Sequence, residues 1–579
     1  MAAELPPALA LLAGAVLLPL LPRAARAGAF LVFPAAAFAL LLGLEPGTAV
    51  SVPFLTYELV PLQVDRLSLA FGYVFAMVAF LGGVYALHLR DTGQQVAALL
   101  YAAGGLGVVF AGDLFTVLVF WELMAVSSAW LIWARRSPAS FRAGMRYLYV
   151  HLAGGSVLLA GILWHVGETG SLAFGPMPGG PAAALILLGF VINAAVPPLH
   201  AWLPDAYPRA TVTGAVFLSA FTTKTAVYVL ARGFAGWEIL AVAGVVMALY
   251  GVVYAVLAND IRGILAYHIV SQVGYMVAGV GIGTAAAVNG ATVHAFSHIL
   301  YKGLLFMGAG AVLHATGRSK LSDLGGLARS MPAALVLYMV GAFSISGVPL
   351  FSGFVSKSVV THAAELSGLD WAVLGLHLAS VGTFLSVGLK LPYFAWFGTD
   401  RGLVPTPLPR GMLVAMGLAA AVNVAIGIQP ELVYRILPHP IDYEPYTGKH
   451  LVKSAQLLLF TALGFWLLRG RLADTPKIVL DTDWLYRRPV AFLYRVAVVA
   501  VDRAFAGAEA ASLAAARGLA RFAADPVAAL DTLAGGRRPR PRSEPPPPTS
   551  AESGSLGGAA LLLAVCFVVV VALSLLAGP

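Results

Sequence analysis

Long apolar blocks dominate the chain, and polar residues gather in the short stretches between them. Blocks of membrane-crossing length fall near 6–22, 29–44, 65–87, 94–110, 113–133, 146–165, 182–200, 211–231, 239–257, 263–282, 288–314, 331–366, 372–397, 411–429, 455–472 and 558–577. About 20 apolar residues cross the hydrocarbon of a bilayer as an α-helix, so the pattern predicts an all-α polytopic membrane protein of about 14 to 16 transmembrane helices. The first block has the apolar core of a signal peptide, but Arg23 and Arg26 follow that core and do not precede it. It is expected to be the first transmembrane helix.

Two blocks are interrupted where a continuous helix would otherwise run. VINAAVPPLHAWLPDAYP carries Pro197 and Pro198, and AFSISGVPLFSGFVSK carries Gly347 and Pro349. Proline removes a backbone donor and frees carbonyls, which is tolerated at membrane depth where protein or water satisfies them again. Both segments are therefore expected to be broken helices beside a polar cavity, with simple proline kinks as the plainer alternative.

The basic residues concentrate in RAAR (23–26), ARRSPASFRAGMR (134–146), NDIR (259–262) and HATGRSKLSDLGGLARS (314–330). Alternating spans put all four on one side, which the positive-inside rule makes cytoplasmic, with the N-terminus outside. Composition agrees: 59% of residues are hydrophobic and only 11% charged. The net charge of +9 then reflects membrane topology and not nucleic-acid binding. A single cysteine, Cys566, provides neither a disulfide framework nor a thiolate metal site within one chain.

Against this background seven ionisable side chains stand out inside apolar stretches: Glu122, Lys224, His268, His294, His298, Lys302 and Lys357. A charged group near the bilayer midplane costs roughly 2.5 to 3.5 kcal/mol on insertion scales, so a set of them points to an intramembrane path for protons or small cations. His294, His298 and Lys302 recur every fourth residue, which places them on one helix face. Histidine titrates near neutrality and relays through either ring nitrogen. A Glu/Lys pair can act as a proton valve, because burial and opposite charge move their proton affinities in contrary directions. The order Glu122, Asn193, Lys224 is followed by Lys302, Lys357, Lys390 at offsets of 180, 164 and 166. That spacing suggests two inverted five-helix repeats with sites at the broken helices.

DLFTVLVFWELMAVSSAWLIW, PPLHAWLPDAYPRA, KTAVYVLAR, NDIRGILAYHIVSQVGYM, HAFSHILYKGLLFMGAGAV and SGFVSK together resemble the proton-conducting antiporter-like membrane subunits. That family includes the large subunits of Mrp-type multisubunit Na+/H+ antiporters and the homologous subunits of complex I and membrane-bound hydrogenases. The resemblance covers roughly residues 65 to 400 and leans towards the Mrp D-type branch. It implies that Glu122 is the acid of a first half-channel, Lys224 a proton-bearing lysine, His294, His298 and Lys302 a central polar axis, and Lys357 the lysine at the second break. One departure is evident. Where the family usually places a lysine partnered with the acid, this chain has Asn193, which cannot carry the proton. Glu122 is then expected to couple directly to Lys224, or the first half-channel works differently.

Plainer roles stand beside these. Glu122 can bond Trp130 or a serine hydroxyl. Lys224 and Lys357 can snorkel or sit in static ion pairs. His294 and His298 lack further ligands for zinc. His268 is equally readable as a satisfied interior histidine, and Lys390 is expected near the membrane surface. Asp260 and Arg262 read as helix-start and loop charges, and Asp205 as a loop brace.

The expected organisation is 1–93 N-terminal helices, 94–235 and 236–400 the two repeats, 401–472 further spans, 473–535 an amphipathic arm, 536–556 a Pro/Arg-rich linker and 557–579 a final span. The arm carries Arg487, Arg488, Arg495, Arg503, Arg517 and Arg521 at helical intervals. Its layout is similar to the lateral helix by which complex I-type subunits brace neighbours. No Walker loop, dinucleotide fingerprint or cysteine cluster is present, so no cofactor or metal is expected and energy must come from an ion gradient or another chain. These features lead to a proton-translocating subunit of a multisubunit Na+/H+ antiporter in the cell membrane, a transporter component and not a stand-alone enzyme. Its expected partners are other membrane subunits, lipid, protons and Na+, with no nucleic acid. A proton-pumping subunit of a redox complex and a non-conducting scaffold paralogue are the alternatives.

Overall fold

The computed structural model describes residues 5–472 and 480–536. It divides into two units, the first ending at Arg487 and the second starting at Arg488. In the first unit, helices α1 (Ala8–Leu17) and α2 (Arg23–Leu42) precede a short antiparallel hairpin, β1 (Ala49–Phe54) and β2 (Tyr57–Gln63). The apolar pattern did not announce that hairpin. Then follow α3 (Arg66–Tyr85), α4 (Thr92–Phe110), α5 (Leu114–Trp133) and α6 (Pro138–Thr169). Each starts on a side-chain cap: Asp65, Asp91, Asp113 and Ser137 accept from backbone N–H groups of the first turn. These caps satisfy donors that an apolar helix end cannot.

The first expected break is real. Helix α7 (Pro181–Asn193) stops, the chain crosses Ala194–Ala201 without helix, and α8 (Trp202–Ala206) restarts it. After it, α9 (Val212–Leu218) and α10 (Thr222–Gly233) form one span with a break at Ser219–Phe221, which carries neither proline nor glycine. Helices α11 (Glu238–Leu257) and α12 (Ile261–Ile282) pack closely, because Gly251 and Gly274 have no side chain where the partner backbone passes. Helix α13 (Ala285–Thr316) is buried almost throughout, and α14 (Pro332–Ser346) and α15 (Ser352–Leu366) flank the second break. Helix α16 (Asp370–Thr383) continues through two π-helical stretches, Phe384–Lys390 and Tyr393–Phe397, and α17 (Arg410–Ile428), α18 (Glu431–Tyr434) and α19 (Gly448–Leu472) follow. Among the described residues, twelve helices are long and apolar enough to cross a membrane, and Ala8–Leu20, Pro181–Asn193 and Pro332–Ser346 are shorter apolar helices.

Two stretches of the chain share a plan, in a register different from the one expected. Asp113 caps α5 and bridges to Ala173; Asp260 caps α12 and bridges to Lys320, each partner 147 positions later. Helices α6 and α13, both 32 residues long, start the same 147 positions apart. In this register α5 corresponds to α12 and α6 to α13. Glu122 on α5 is thus no counterpart of Lys302 on α13, because an offset of 180 skips a helix. The structure corrects that pairing.

A chain of contacts gathers the basic loops at one end of the bundle. Arg26 donates to Thr92 Oγ1, Arg136 pairs with Asp91 at 3.5 Å, and Arg135 donates to the carbonyl of Pro208. Buried Arg262 donates to the carbonyls of Tyr207, Ala210 and Thr211, and Ile261 N–H donates to Ser319 O. Arg262 is a brace inside the fold and not a loop charge.

The first unit closes with the segment Leu480–Arg487, containing α20 (Asp483–Arg487), strapped over the first break. Asp481 accepts from Tyr250 and Tyr267 hydroxyls, both at 2.6 Å, and lies 3.2 Å from His200 Nε2. Thr482 donates to Pro198 O, and Arg487 joins Arg146 and Arg209 around Asp205. In the second unit, α21 (Pro489–Tyr494), a π turn Arg495–Val499, α22 (Ala500–Ala524) and α23 (Pro526–Leu533) run with Phe505, Leu519 and Phe522 exposed. The linker beyond 536 and the final span with Cys566 lie outside the described residues.

Candidate functional site

The second break sets Lys357 one and a half turns into α15, where its side chain is 6% exposed. Its Nζ donates to Ser380 Oγ at 3.3 Å and lies 5.2 Å from the Tyr275 ring centroid. Facing it on α13, His294 Nδ1 is 3.0 Å from Ser356 Oγ, while neither nitrogen of His298 nor Nζ of Lys302 has a hydrogen-bond partner among the described residues. All three side chains are fully buried. Lys224 lies on α10, just past the break at Ser219–Phe221, and its ammonium donates to Ser219 O at 2.6 Å. That carbonyl is one the broken helix leaves free, so the break and the lysine satisfy each other.

These groups form one site. The charges of Lys224, Lys302 and Lys357 all act on His298, and those of Lys357 and Lys224 on His294. Four elements whose site residues are separated by up to 156 positions, α10, α13, α15 and the helix α16 that supplies Ser380, thus converge on a line of bases that has no carboxylate among the described residues. Among the described residues neither Lys224 nor Lys357 sits in an ion pair, so the static-pair alternative fails, and both are too deeply buried to snorkel.

Glu122 lies apart from this line. It is half-buried on α5, packed against Gly155 of α6, and among the described residues it makes no hydrogen bond or ion pair. The alternatives of a bond to Trp130 or to a serine are excluded: Trp130 is half exposed, and Ser127 and Ser128 donate to carbonyls of their own helix. Direct pairing with Lys224 is not formed either. Asn193, at the last turn of α7, is buried with its Oδ1 unpartnered.

His268 is bonded through Nε2 to Ser386 Oγ at 2.5 Å, on the π-helical stretch after α16. Lys390 is packed inside the protein at the end of α11, next to the loop 259–262: it is 2% exposed and donates to Val256 O and Ala258 O, the free carbonyls there. The favourable end of the helix dipole holds its charge there. Pro197, Pro198 and Pro349 all fall in the non-helical breaks.

Sequence reasoning missed a cluster of buried hydroxyls beside Lys224. Tyr101 and Thr222 hydroxyls are 2.6 Å apart, Tyr147 reaches Thr222 at 3.4 Å, and Ser128 lies 2.8 Å from Tyr147. His151 stacks on Tyr147 with its Nε2 buried and unpartnered. The signal was present as tyrosines and a histidine inside apolar blocks, but a tyrosine there is ordinary and conveys little alone.

A helical bundle with three interrupted spans among the described residues and a buried line of lysine and histidine defines a polytopic membrane protein of the antiporter-like class. Residues 111–386 match the family described as NADH:quinone oxidoreductase/Mrp antiporter, TM. It is 30% identical over 430 residues to the A-type subunit of the Na(+)/H(+) antiporter of Alkalihalophilus pseudofirmus, covering 65% of this chain and 53% of that relative. Over 416 residues it is 29% identical to hydrogenase-4 component B of Escherichia coli, covering 63% and 62%. The chain therefore spans between about half and three fifths of the length of these two relatives. In fold it is similar to a chain of the membrane-bound sulfane sulfur reductase, an archaeal respiratory membrane complex, with a TM-score of 0.70 and 24% identity over 98% of this chain and 100% of that one.

Proposed function

We propose that this chain carries protons across the cell membrane along Lys224, His298, Lys302, His294 and Lys357, as one subunit of a multisubunit Na+/H+ antiporter. The observation behind the reading is the convergence of these bases in a buried site without a carboxylate to neutralise them. Such a site is costly to keep charged, so it favours one mobile proton shared among several bases over fixed charge on each. Imidazoles between two lysines supply intermediate acceptors, and His268 with Ser386 and Lys390 extends the line towards the end of α11. Glu122, half-buried where α5 packs on Gly155 of α6, is the group through which a neighbouring subunit would exchange a proton with this one. Similarity to an Na(+)/H(+) antiporter component supports the antiporter setting. The two five-helix units are read as 94–235 and 236–400, inverted in the membrane with the basic end cytoplasmic and the N-terminus outside.

Similarity to hydrogenase-4 component B supports a second reading, a pumping subunit driven by an electron-transfer partner. Vesicles containing the purified assembly separate the two. Proton uptake driven by a Na+ gradient alone identifies the antiporter, uptake that requires an electron donor identifies the redox pump, and absence of either identifies a scaffold. Lys357→Ala and Glu122→Ala are each expected to abolish flux in an assembly that still forms.

A further inference from the structure

A cavity of about 90 Å³ extends from Lys357 to the end of the bundle opposite the basic loops. Helix α14 leaves the loop at 317–331, on the basic end, and α15 completes that crossing, so the C-terminal turn of α15 lies at the other end. There Lys453, at the start of α19, has its Nζ 3.0 Å from Glu365 Oε1, with the two side chains 44% and 39% exposed. His377, one turn before Ser380 on α16, lines the same cavity as this pair and Lys357, with a buried Nε2 that has no partner among the described residues. The charges of Lys453, Glu365 and Lys357 all act on His377. None of these three outer groups belongs to the buried line, and no sequence motif marks them.

We infer that the cavity is a proton exit in which His377 carries the proton from Lys357 and the Glu365–Lys453 pair is the gate. The inference rests on the reading that Lys357 bears a transported proton. The lysine ammonium gives up its proton, His377 Nε2 gains it, and the imidazolium passes it to the Glu365 carboxylate. Neutral Glu365 releases Lys453, and loss of the proton to outside water restores the carboxylate and closes the pair. Charge selects the passenger. The lining has two lysines and the histidines 362, 377 and 450 against one carboxylate, which disfavours a metal cation and leaves a proton moving through hydroxyls and water. His362 packs against Tyr443, with ring centroids 4.8 Å apart and the planes tilted by 31°, and walls the mouth.

Two measurements on the whole assembly in sealed vesicles test this. In a Cys566→Ala background, Thr361→Cys places a thiol in the cavity wall. A membrane-impermeant maleimide is expected to modify it only from the side opposite the basic loops, and about tenfold faster when Lys453→Ala opens the pair. Modification from the basic side, or a rate indifferent to Lys453→Ala, overturns the gate. Proton flux is expected to fall about tenfold or more in His377→Ala and Glu365→Gln, and to recover in the charge-swapped Glu365→Lys/Lys453→Glu. Normal flux in His377→Ala while Lys357→Ala stays inactive removes the exit and leaves the buried line standing. Normal flux in Lys357→Ala removes the reading beneath both. Assembly of each variant is checked by size exclusion, with His377→Gln as the milder replacement.

Discussion

Glu122 on α5 and Gly155 on α6 are in direct register: the carboxylate occupies the space that a β-carbon at position 155 would fill. A helix–helix approach this close leaves Glu122 one place to be, at the edge of the bundle and away from Lys224. Gly155→Ala is therefore expected to push the carboxylate out and lower proton flux about as much as Glu122→Ala, with the assembly intact, since alanine suits a helix better than glycine. Flux measured in vesicles from both variants checks this; wild-type flux in Gly155→Ala would give the carboxylate no positional requirement.

Lys224 has two separable roles, as a donor to Ser219 O and as a base on the buried line. Lys224→Arg keeps a cation and a donor but holds its proton at every accessible pH. Loss of flux by at least about tenfold in both Lys224→Arg and Lys224→Met is expected if proton transfer matters. Activity in the arginine variant alone would reduce Lys224 to a cap for the broken helix.

Asn193 leaves a buried oxygen without a partner at the end of α7, beside α10. Asn193→Lys adds a second base near the first break, and in a conducting chain this is expected to keep flux while moving its pH optimum. Flux followed across pH 6 to 9, about three decades of proton activity, checks it. An unchanged profile would leave Asn193 outside the path.

Asp481 gives a pH prediction outside the membrane. Burial pushes its carboxyl up, but the hydrogen bond and charge of His200 and the hydroxyls of Tyr250 and Tyr267 outweigh it and hold the group well below the usual carboxylate range. A depressed carboxyl contributes stability that is present above its unfolded value, near 4, and is lost only as pH falls through the lower folded one. Hydrogen exchange at residues 480–487 is thus expected to stay slow from pH 8 down to about 4, and to quicken at neutral pH in Asp481→Asn. Equal exchange in both proteins would mean that the strap is held by Arg487 and Thr482 alone.

Much of the bundle was legible because membrane insertion acts on local stretches of chain. Span length, the prolines at both breaks and the cost of a buried lysine are each properties of one segment. The break at Ser219–Phe221 was not legible, since no residue there disfavours a helix and Lys224 reaches back to stabilise the interruption. The repeat register misled at one pairing for a related reason: Glu122 and Lys302, matched by spacing, lie on helices that the caps Asp113 and Asp260 show to be different members of the plan. The partners of Lys390 were not legible either, since the carbonyls that hold it belong to the end of α11, more than 130 positions away.

The sequence by itself determined that this is a helical membrane protein similar to the antiporter-like subunits, and that Lys224, His294, His298, Lys302 and Lys357 are costly enough in lipid to need a reason. Only the tertiary structure decided which of them meet. It joined Lys224 to the histidines of α13, held Glu122 apart on Gly155, drew Asp481 onto His200 from 281 positions away and opened a cavity from Lys357 to Glu365 and Lys453. Hydrophobicity is additive along a chain and can be read segment by segment. Charge coupling falls off over a few ångströms between helices, and that spacing is set by packing.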